Sequence, residues 1–216
     1  MTTLPLTPDE VLTTTRTVRK RLDLTRPVPM SLIRECLEIA LQAPSGSNRQ
    51  GWEWLVITDP DRRAAVAKVY TRACEEYLES VSAAENPYAD DPERTAVQAR
   101  IRDSTRYLSD HMAEVPVLVI PCIRAGRHGL DAGNQSGLWG SILPAAWSYM
   151  LAARARGLGT AWTTLHLSYE AEVAELLELP AGVAQALLIP TAYYTGETFQ
   201  PAARSPLDDV LHIDRW

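Results

Sequence analysis

Residues 138–156 read as one long helix with almost no polar face. Trp139, Leu143, Ala146, Trp147, Met150, Leu151 and Ala153 surround it, and a helix that is apolar all round needs burial on more than one side. It therefore belongs inside a core or against a second subunit. Pro144 is expected to bend it. At 216 residues the chain is large enough for a sizeable core and tight for two, so a single domain over residues 1–216 is expected.

Local signals place the other elements around this helix. Thr7-Pro8-Asp9-Glu10 has the form of a capping box with proline in the first turn, which predicts a short helix over 8–14. Leu32, Ile33, Cys36, Leu37 and Ala40 recur at helical spacing, and Ala43-Pro44 ends that run because proline disfavours helical geometry in the residue before it. A polar turn follows to Gln50. Trp54-Leu55-Val56-Ile57, closed by Asp59-Pro60, predicts a buried strand and then a capped helix to about Ser80. Residues 82–95 carry acids and prolines without apolar periodicity, which predicts a mobile surface loop before a helix over 93–113.

A strand is expected over 115–122, with Pro116 and Pro121 at its ends or on an edge because neither can donate to a ladder. Four glycines in 126–137 predict a flexible connection into the long helix. Gly157-Leu158-Gly159 supplies its stop, Thr160-Ala161-Trp162-Thr163-Thr164 favours extended structure, Ser168 is placed to cap a helix to about Leu177, and 186–194 gives the last strand. The tail from Gln200 ends in Leu211, Ile213 and Trp216 and is expected to pack down. Helices and strands alternate without a βαβ rhythm. The predicted class is α+β, a mixed central β-sheet surrounded by helices.

Composition excludes several functions. Hydrophobic residues at 46% and charged residues at 22% fit an ordinary folded chain rather than a disordered one. No apolar run reaches the roughly 20 residues of a membrane helix. A net charge of -6 disfavours nucleic acid and anionic lipid as partners, while a small anion remains compatible with a local group of arginines. Cys36, Cys74 and Cys122 are far apart, without metal-ligand or disulfide spacing, so no metal is expected. The start of the chain is polar and acidic rather than basic and apolar, which points to the cytoplasm, and the Asn134-Gln135-Ser136 sequon reads as accidental.

Familiar catalytic patterns are missing: HExxH, GxSxG, a phosphate-binding P-loop and GxGxxG after a strand do not occur. His111 and His166 are single histidines without a visible partner, and such side chains more often pack than catalyse. Asp90-Asp91 and Asp208-Asp209 lie in proline-containing stretches and read as solvated charge. The basic run Arg16, Arg19, Lys20, Arg21 stands out in an acidic chain. Its bland reading is a solvated face. Thr17, however, sets a hydroxyl between two guanidinium groups, and charge-assisted bonds plus a neutral donor suit a phosphate monoester. Pro44-Ser45-Gly46-Ser47-Asn48-Arg49-Gln50 packs two hydroxyls and two carboxamides together, enough to bond the rim of a flat polar ring. Alone, that segment reads equally well as a plain polar turn.

Four motifs in order carry a resemblance: Arg16-Thr17-Val18-Arg19, Ala43-Pro44-Ser45-Gly46-Ser47-Asn48-Arg49-Gln50 before an apolar strand, Gly157-Leu158-Gly159-Thr160 after the long helix, and Arg204-Ser205-Pro206-Leu207 before a Trp-bearing tail. Together they resemble the nitroreductase family of flavin oxidoreductases. The resemblance implies that family's α+β fold, a homodimer with swapped terminal segments, and FMN bound at the dimer interface. It assigns Arg16, Thr17, Arg19 and Arg204 to the flavin phosphate and ring edge. Pro44, Ser45, Ser47, Asn48 and Gln50 would reach the flavin from the partner subunit, Thr163, Thr164 and Leu165 would lie along its reactive edge, and Ser141 would face the ribityl side.

Two positions depart from the family's pattern: Thr15 and Ala202 stand where relatives carry an arginine and a lysine, so the phosphate is expected to be held either by fewer charges or by Lys20, Arg21 or Arg49 instead. The activity implied is a ping-pong cycle in which NADH or NADPH reduces the flavin and a nitroaromatic, quinone or related small aromatic acceptor reoxidises it. The same resemblance admits dehalogenation, peptide-heterocycle oxidation, flavin breakdown, or flavin binding without turnover. Tyr77, Tyr88 and Tyr107 are candidates to line the acceptor pocket or simply to pack.

Overall fold

The computed structural model describes residues 3–84, 86–124 and 135–216. The first helix, α1 (Pro8–Thr14), forms where its capping box predicts it: the Glu10 amide donates to Thr7 Oγ1 at 3.2 Å and the Thr7 amide to the Glu10 carboxylate at 2.7 Å. Then come α2 (Met30–Ala40), β1 (Trp52–Ile57), α3 (Pro60–Ala83), α4 (Pro92–Asp110), β2 (Val117–Arg124), α5 (Gln135–Ala155), β3 (Leu158–Thr160), α6 (Glu170–Leu176), β4 (Val183–Gln185) and β5 (Ile189–Tyr193). Both α3 and α4 are capped by an aspartate, Asp59 and Asp91, with proline in the first turn. The interruption expected over 82–95 is thereby shortened to residues 84–91. The glycine-rich connection up to residue 134, with Asn134, lies outside the described residues.

The sheet runs β1-β2-β5-β3, with β4 also on β2, and every pairing among these strands is antiparallel. One parallel bridge, Thr17 to Thr160, adds the segment after α1 to the β3 edge. Strand β2 is buried on both faces, and its side chains divide with period two. Leu118, Ile120 and Cys122 enter a core with Val66, Tyr70 and Cys74 of α3, Leu108 of α4 and Val173 of α6. Val117, Val119 and Ile123 enter the opposite core, with Leu32, Ile33 and Cys36 of α2 and Ile142, Tyr149 and Met150 of α5. The apolar α5 is thus largely consumed by one face of the sheet, although Trp147 stays 38% exposed.

Pro121 corrects one expectation: it lies inside the central strand, opposite Trp54. The reason is a bulge on the other side. Ile189 pairs with Val119 and Gln185 with Cys122, so three residues, 186 to 188, face two, 120 and 121. Ala186 donates to the Pro121 carbonyl at 2.8 Å. The missing N–H faces the same interrupted stretch, where the regular ladder has no acceptor to offer. The last strand foreseen over 186–194 is accordingly shortened to β5, and β4 precedes the bulge as a separate strand.

Gly157 ends α5 with φ 78, the left-handed conformation glycine adopts freely. Ser168 does not cap α6; it sits in a 3-10 turn, Leu165–Tyr169, and Tyr169 holds the cap position. The tail does not pack down within one chain, since Ile213 is 73% and Trp216 99% exposed. Among the described residues no helix is long and apolar enough to cross a membrane.

Candidate functional site

Leaving α1, the chain runs beside β3, where the Val18 amide donates to the Thr160 carbonyl at 2.8 Å and Leu22 pairs with Tyr194. Val18 and Leu22 point into the core and press against Gly159: a Cβ there would meet Val18 Cγ1 and Leu22 Cδ2 at 3.1 Å. Close backbone approach explains the glycine and fixes the basic segment to the sheet edge.

Within that segment the structure separates four cations into two kinds. Lys20 is paired with Asp103 and lies 6.0 Å from the Tyr107 ring centroid. Arg21 donates to the carbonyls of Thr195 at 2.7 Å and Thr198 at 2.9 Å and stacks on Phe199 at 4.1 Å. Both are spent on the fold. Arg19 is half-buried and, among the described residues, donates only to Ser104 Oγ on α4, at 3.2 Å. Burial pushes its pKa down from the usual arginine value, against weaker opposing effects of Tyr70, Tyr77 and Cys74. Among the described residues no carboxylate pairs with it. Arg16, also half-buried, has no hydrogen bond or ion pair there either, and the Thr17 side chain between them is exposed. A desolvated guanidinium without a counter-ion is a standing cost that an anion would relieve.

Above the same core, Thr163 exchanges backbone hydrogen bonds with Leu188 at 3.1 and 2.8 Å, and its Oγ1 lies 3.0 Å from the buried Tyr70 hydroxyl. Thr164 is exposed and opens the 3-10 turn without a side-chain cap. The first N–H groups of such a turn have no partner within it, so the backbone at Thr164 and Leu165 presents donors. Arg19, Tyr70 and Thr163 therefore border one region.

Residues 44–50 lie elsewhere. Ser47, Asn48 and Gln50 adopt φ of 53, 51 and 51, a cluster of left-handed residues none of which is glycine. Pro44, Ser47, Asn48 and Gln50 are exposed and Ser45 is half-buried. The Gln50 amide donates to Ser45 Oγ, and Gln50 Nε2 to Asn48 Oδ1. The turn is docked on α5, where Ser141 Oγ accepts the Gly46 amide at 3.0 Å and donates to the Gly137 carbonyl at 2.8 Å. Ser141 is buried; the bond from Gly46 holds this turn, while the bond to Gly137 closes back within α5. Since α5 and α3 enter opposite cores, one chain does not bring the turn against Tyr70.

Arg204 is exposed and donates to the Ala203 carbonyl. It lines a groove of about 520 Å³ with Tyr88, Asp91, Arg94 and Gln98 of the α4 end, where Arg94 reaches Ser205 Oγ at 3.2 Å. Ser104, which holds Arg19, is six residues beyond Gln98, about 9 Å along the helix axis. No hydrogen bond or ion pair joins Arg204 to Arg16 or Arg19 among the described residues.

The remaining candidates are packed. His111 stacks on Tyr107 at 4.2 Å and its Nδ1 lies 2.8 Å from the Tyr107 carbonyl. Tyr77, in contrast, is 44% exposed. His166 is fully buried, and burial pushes it down to about 4, which keeps it neutral. The Gln185 side chain beside it opposes that shift weakly, without a hydrogen bond of good geometry to either ring nitrogen. Burial raises the Cys36 and Cys122 thiols to about 11 and about 12, values that leave them inert as nucleophiles. Sequence reasoning missed Tyr70 and Ser104. Tyr70, Cys74 and Tyr77 fall at i, i+4 and i+7, the spacing of one helix face, and that was a usable signal.

The sequence matches the model of the Nitroreductase family over residues 12–193. It is 25% identical over 189 residues to iodotyrosine deiodinase 1 of Homo sapiens, covering 85% of this chain and 61% of that one. The chain thus spans about 61% of the length of its deiodinase relatives. It is 29% identical over 202 residues to an NADH dehydrogenase of Thermus thermophilus, covering 86% of each. Its fold is similar to that of an FMN and NADPH-dependent nitroreductase from Sphigopyxis sp. strain HMH, with TM-score 0.71, 22% identity, and coverage of 98% of this chain and 100% of that one. It is also similar to an oxidized iodotyrosine deiodinase bound to FMN and 3-iodo-L-tyrosine, with TM-score 0.69, 20% identity, and coverage of 94% and 96%.

Proposed function

Because the chain belongs to the nitroreductase family, we propose that it is an FMN-dependent oxidoreductase that takes electrons from NADH or NADPH and passes them to a nitroaromatic, quinone or related acceptor. The observation that carries this reading is Arg19, half-buried and, like the neighbouring Arg16, without a carboxylate partner among the described residues, with the exposed Thr17 between them. Those three side chains suit a phosphate monoester, the chemistry of the FMN tail. Lys20 and Arg21 do not share that role, since Asp103 and the tail carbonyls already hold them. When bound, FMN supplies the redox chemistry, accepting a hydride and passing it on in a ping-pong cycle.

The protein's part is binding, orientation and charge. Arg16, Thr17 and Arg19 hold the phosphoryl group, and low local dielectric strengthens each of those contacts. The N–H groups of Thr164 and Leu165 offer donors to the reacting edge. Pro44, Ser45, Ser47, Asn48 and Gln50 serve the site of the other subunit, which agrees with their exposure on the α5 side. Arg204 and the tail complete the dimer. Support for two copies comes from the apolar residues one chain leaves open, Trp147, Leu207, Val210, Ile213 and Trp216. The same reading takes residues 1–216 as one domain and the cytoplasm as its compartment.

The test is direct: the purified protein should be yellow, and its flavin absorbance should bleach anaerobically on adding NADH or NADPH. Lack of affinity for FMN removes the proposal. A second reading, reductive dehalogenation of a halogenated phenol, draws on the 25% identity to iodotyrosine deiodinase 1. Iodide release from 3-iodotyrosine by the dithionite-reduced protein separates the two.

A further inference from the structure

Arg154, near the end of α5, is 3% exposed, and among the described residues no carboxylate forms an ion pair with it, Glu10 acting on it only at longer range. Its guanidinium is instead surrounded by hydroxyls and rings. Nη1 donates to the Tyr194 hydroxyl at 2.9 Å, and Nη2 is shared between Thr14 Oγ1 at 3.2 Å and Thr198 Oγ1 at 3.4 Å. Thr14 gives its own proton to the Glu10 carbonyl, which leaves its oxygen free to accept. The Arg154 Cζ lies 5.4 and 5.1 Å from the ring centroids of Tyr194 and Phe199, which pack against each other at 4.7 Å. Arg21 stacks on the same two rings, and Nε of Arg154 finds no partner among the described residues.

Burying a cation with only neutral acceptors is an expensive way to fill space, and an apolar side chain of similar length would fill it at lower cost. A guanidinium does something an apolar residue cannot, because its fork binds remote segments in one fixed geometry. Thr14 is two residues before Arg16. Thr198 is six residues before Arg204. The segment that carries Arg16 and the arm that carries Arg204 are thus referenced to a single planar group on α5.

We propose that Arg154 is a positioning residue for the cofactor site: it fastens the end of α1 and the root of the C-terminal arm to the core, so that Arg16 is held at the phosphoryl site and the arm bearing Arg204 leaves the core in one fixed direction. The proposal rests on the flavin reading of the site. It makes Arg154 responsible for how well the two segments are held, not for contact with the ligand.

Amide hydrogen exchange on the apoprotein, followed by FMN titration, tests it in wild type, Arg154→Met, Arg154→Lys and Thr198→Val. Arg154→Met relieves the buried charge and should leave the unfolding temperature close to wild type while exchange speeds up in residues 14–19 and 195–199 together. FMN affinity should fall about tenfold or more, because ligand binding must then supply the ordering of the two loosened segments. Thr198→Val should loosen 195–199 alone and give a smaller loss of affinity. Arg154→Lys, which keeps the charge but not the fork, should behave like Arg154→Met. Unchanged exchange in either segment, full rescue by lysine, or unchanged FMN affinity in Arg154→Met overturns the proposal. Failure of the wild type to bind FMN overturns the flavin reading instead, and the exchange pattern still decides whether Arg154 couples the two segments.

Discussion

The Tyr70 hydroxyl and Thr163 Oγ1 lie 3.0 Å apart and join the middle of α3 to the segment that leads, through the exposed Thr164, into the 3-10 turn. Tyr70 is buried, and Thr163 is held by its backbone as well as by its side chain. Tyr70→Phe removes this bond and little else. We expect a stability loss of about 1 kcal/mol, the usual net value of such a bond, and a lower rate of flavin reduction with FMN affinity kept within about threefold of wild type. Stopped-flow reduction beside a thermal melt checks both.

Arg19 and Lys20 are neighbours in sequence with opposite commitments, to an open region and to Asp103. Arg19→Ala should weaken FMN binding by about 10- to 100-fold, the range for a charge-assisted bond, without loss of unfolding temperature, since an unpaired half-buried cation is removed. Lys20→Ala should change FMN affinity by less than about threefold, because an exposed pair contributes little. Fluorescence-quenching titration of both variants reads the difference.

His166 imposes a pH dependence on stability. Its pKa falls from 6.5 to about 4 on folding because the ring loses water. Between these values the unfolded chain binds a proton that the folded chain refuses, so stability is complete above pH 6.5 and declines as pH falls toward 4. The decline contributed by this ring amounts to about 3 kcal/mol at the acid end. Urea melts at stepped pH should show it, and His166→Leu should flatten the slope across that window.

Gly159→Ala puts a methyl group 3.1 Å from Val18 Cγ1 and Leu22 Cδ2 and 3.2 Å from Tyr194 Cβ. Such overpacking should cost about 1–3 kcal/mol. Because the displaced segment carries Arg16 and Arg19, FMN affinity should fall as well. Calorimetry and flavin titration on the one variant measure the two effects.

What the sequence revealed depended on how local each signal was. The capping box of α1 and the Asp59-Pro60 start of α3 act within four residues, and those helices begin where they were expected, whereas α4 begins at Pro92, inside the stretch expected to be a loop. Pro121 was misjudged because the bulge that tolerates it is made by residues 186–188, far along the chain. The basic run was visible as a candidate anion site. Which of its cations remain available was not, since Asp103, Thr195 and Thr198 decide that. Tyr70 and Arg154 stayed hidden for the same reason: their partners are 93 and 140 residues away. The tail, expected to pack, is left exposed at Ile213 and Trp216 among the described residues.

The claim on which the rest depends is that Arg16, Thr17 and Arg19 clasp the phosphoryl group of a flavin. Parallel titration of the apoprotein with FMN and with riboflavin measures it most directly, because the two ligands differ only in that group. The account predicts that FMN binds and that riboflavin binds at least about tenfold more weakly, the difference vanishing in Arg19→Ala. Equal affinity for the two ligands in the wild type, or no binding of either, contradicts it.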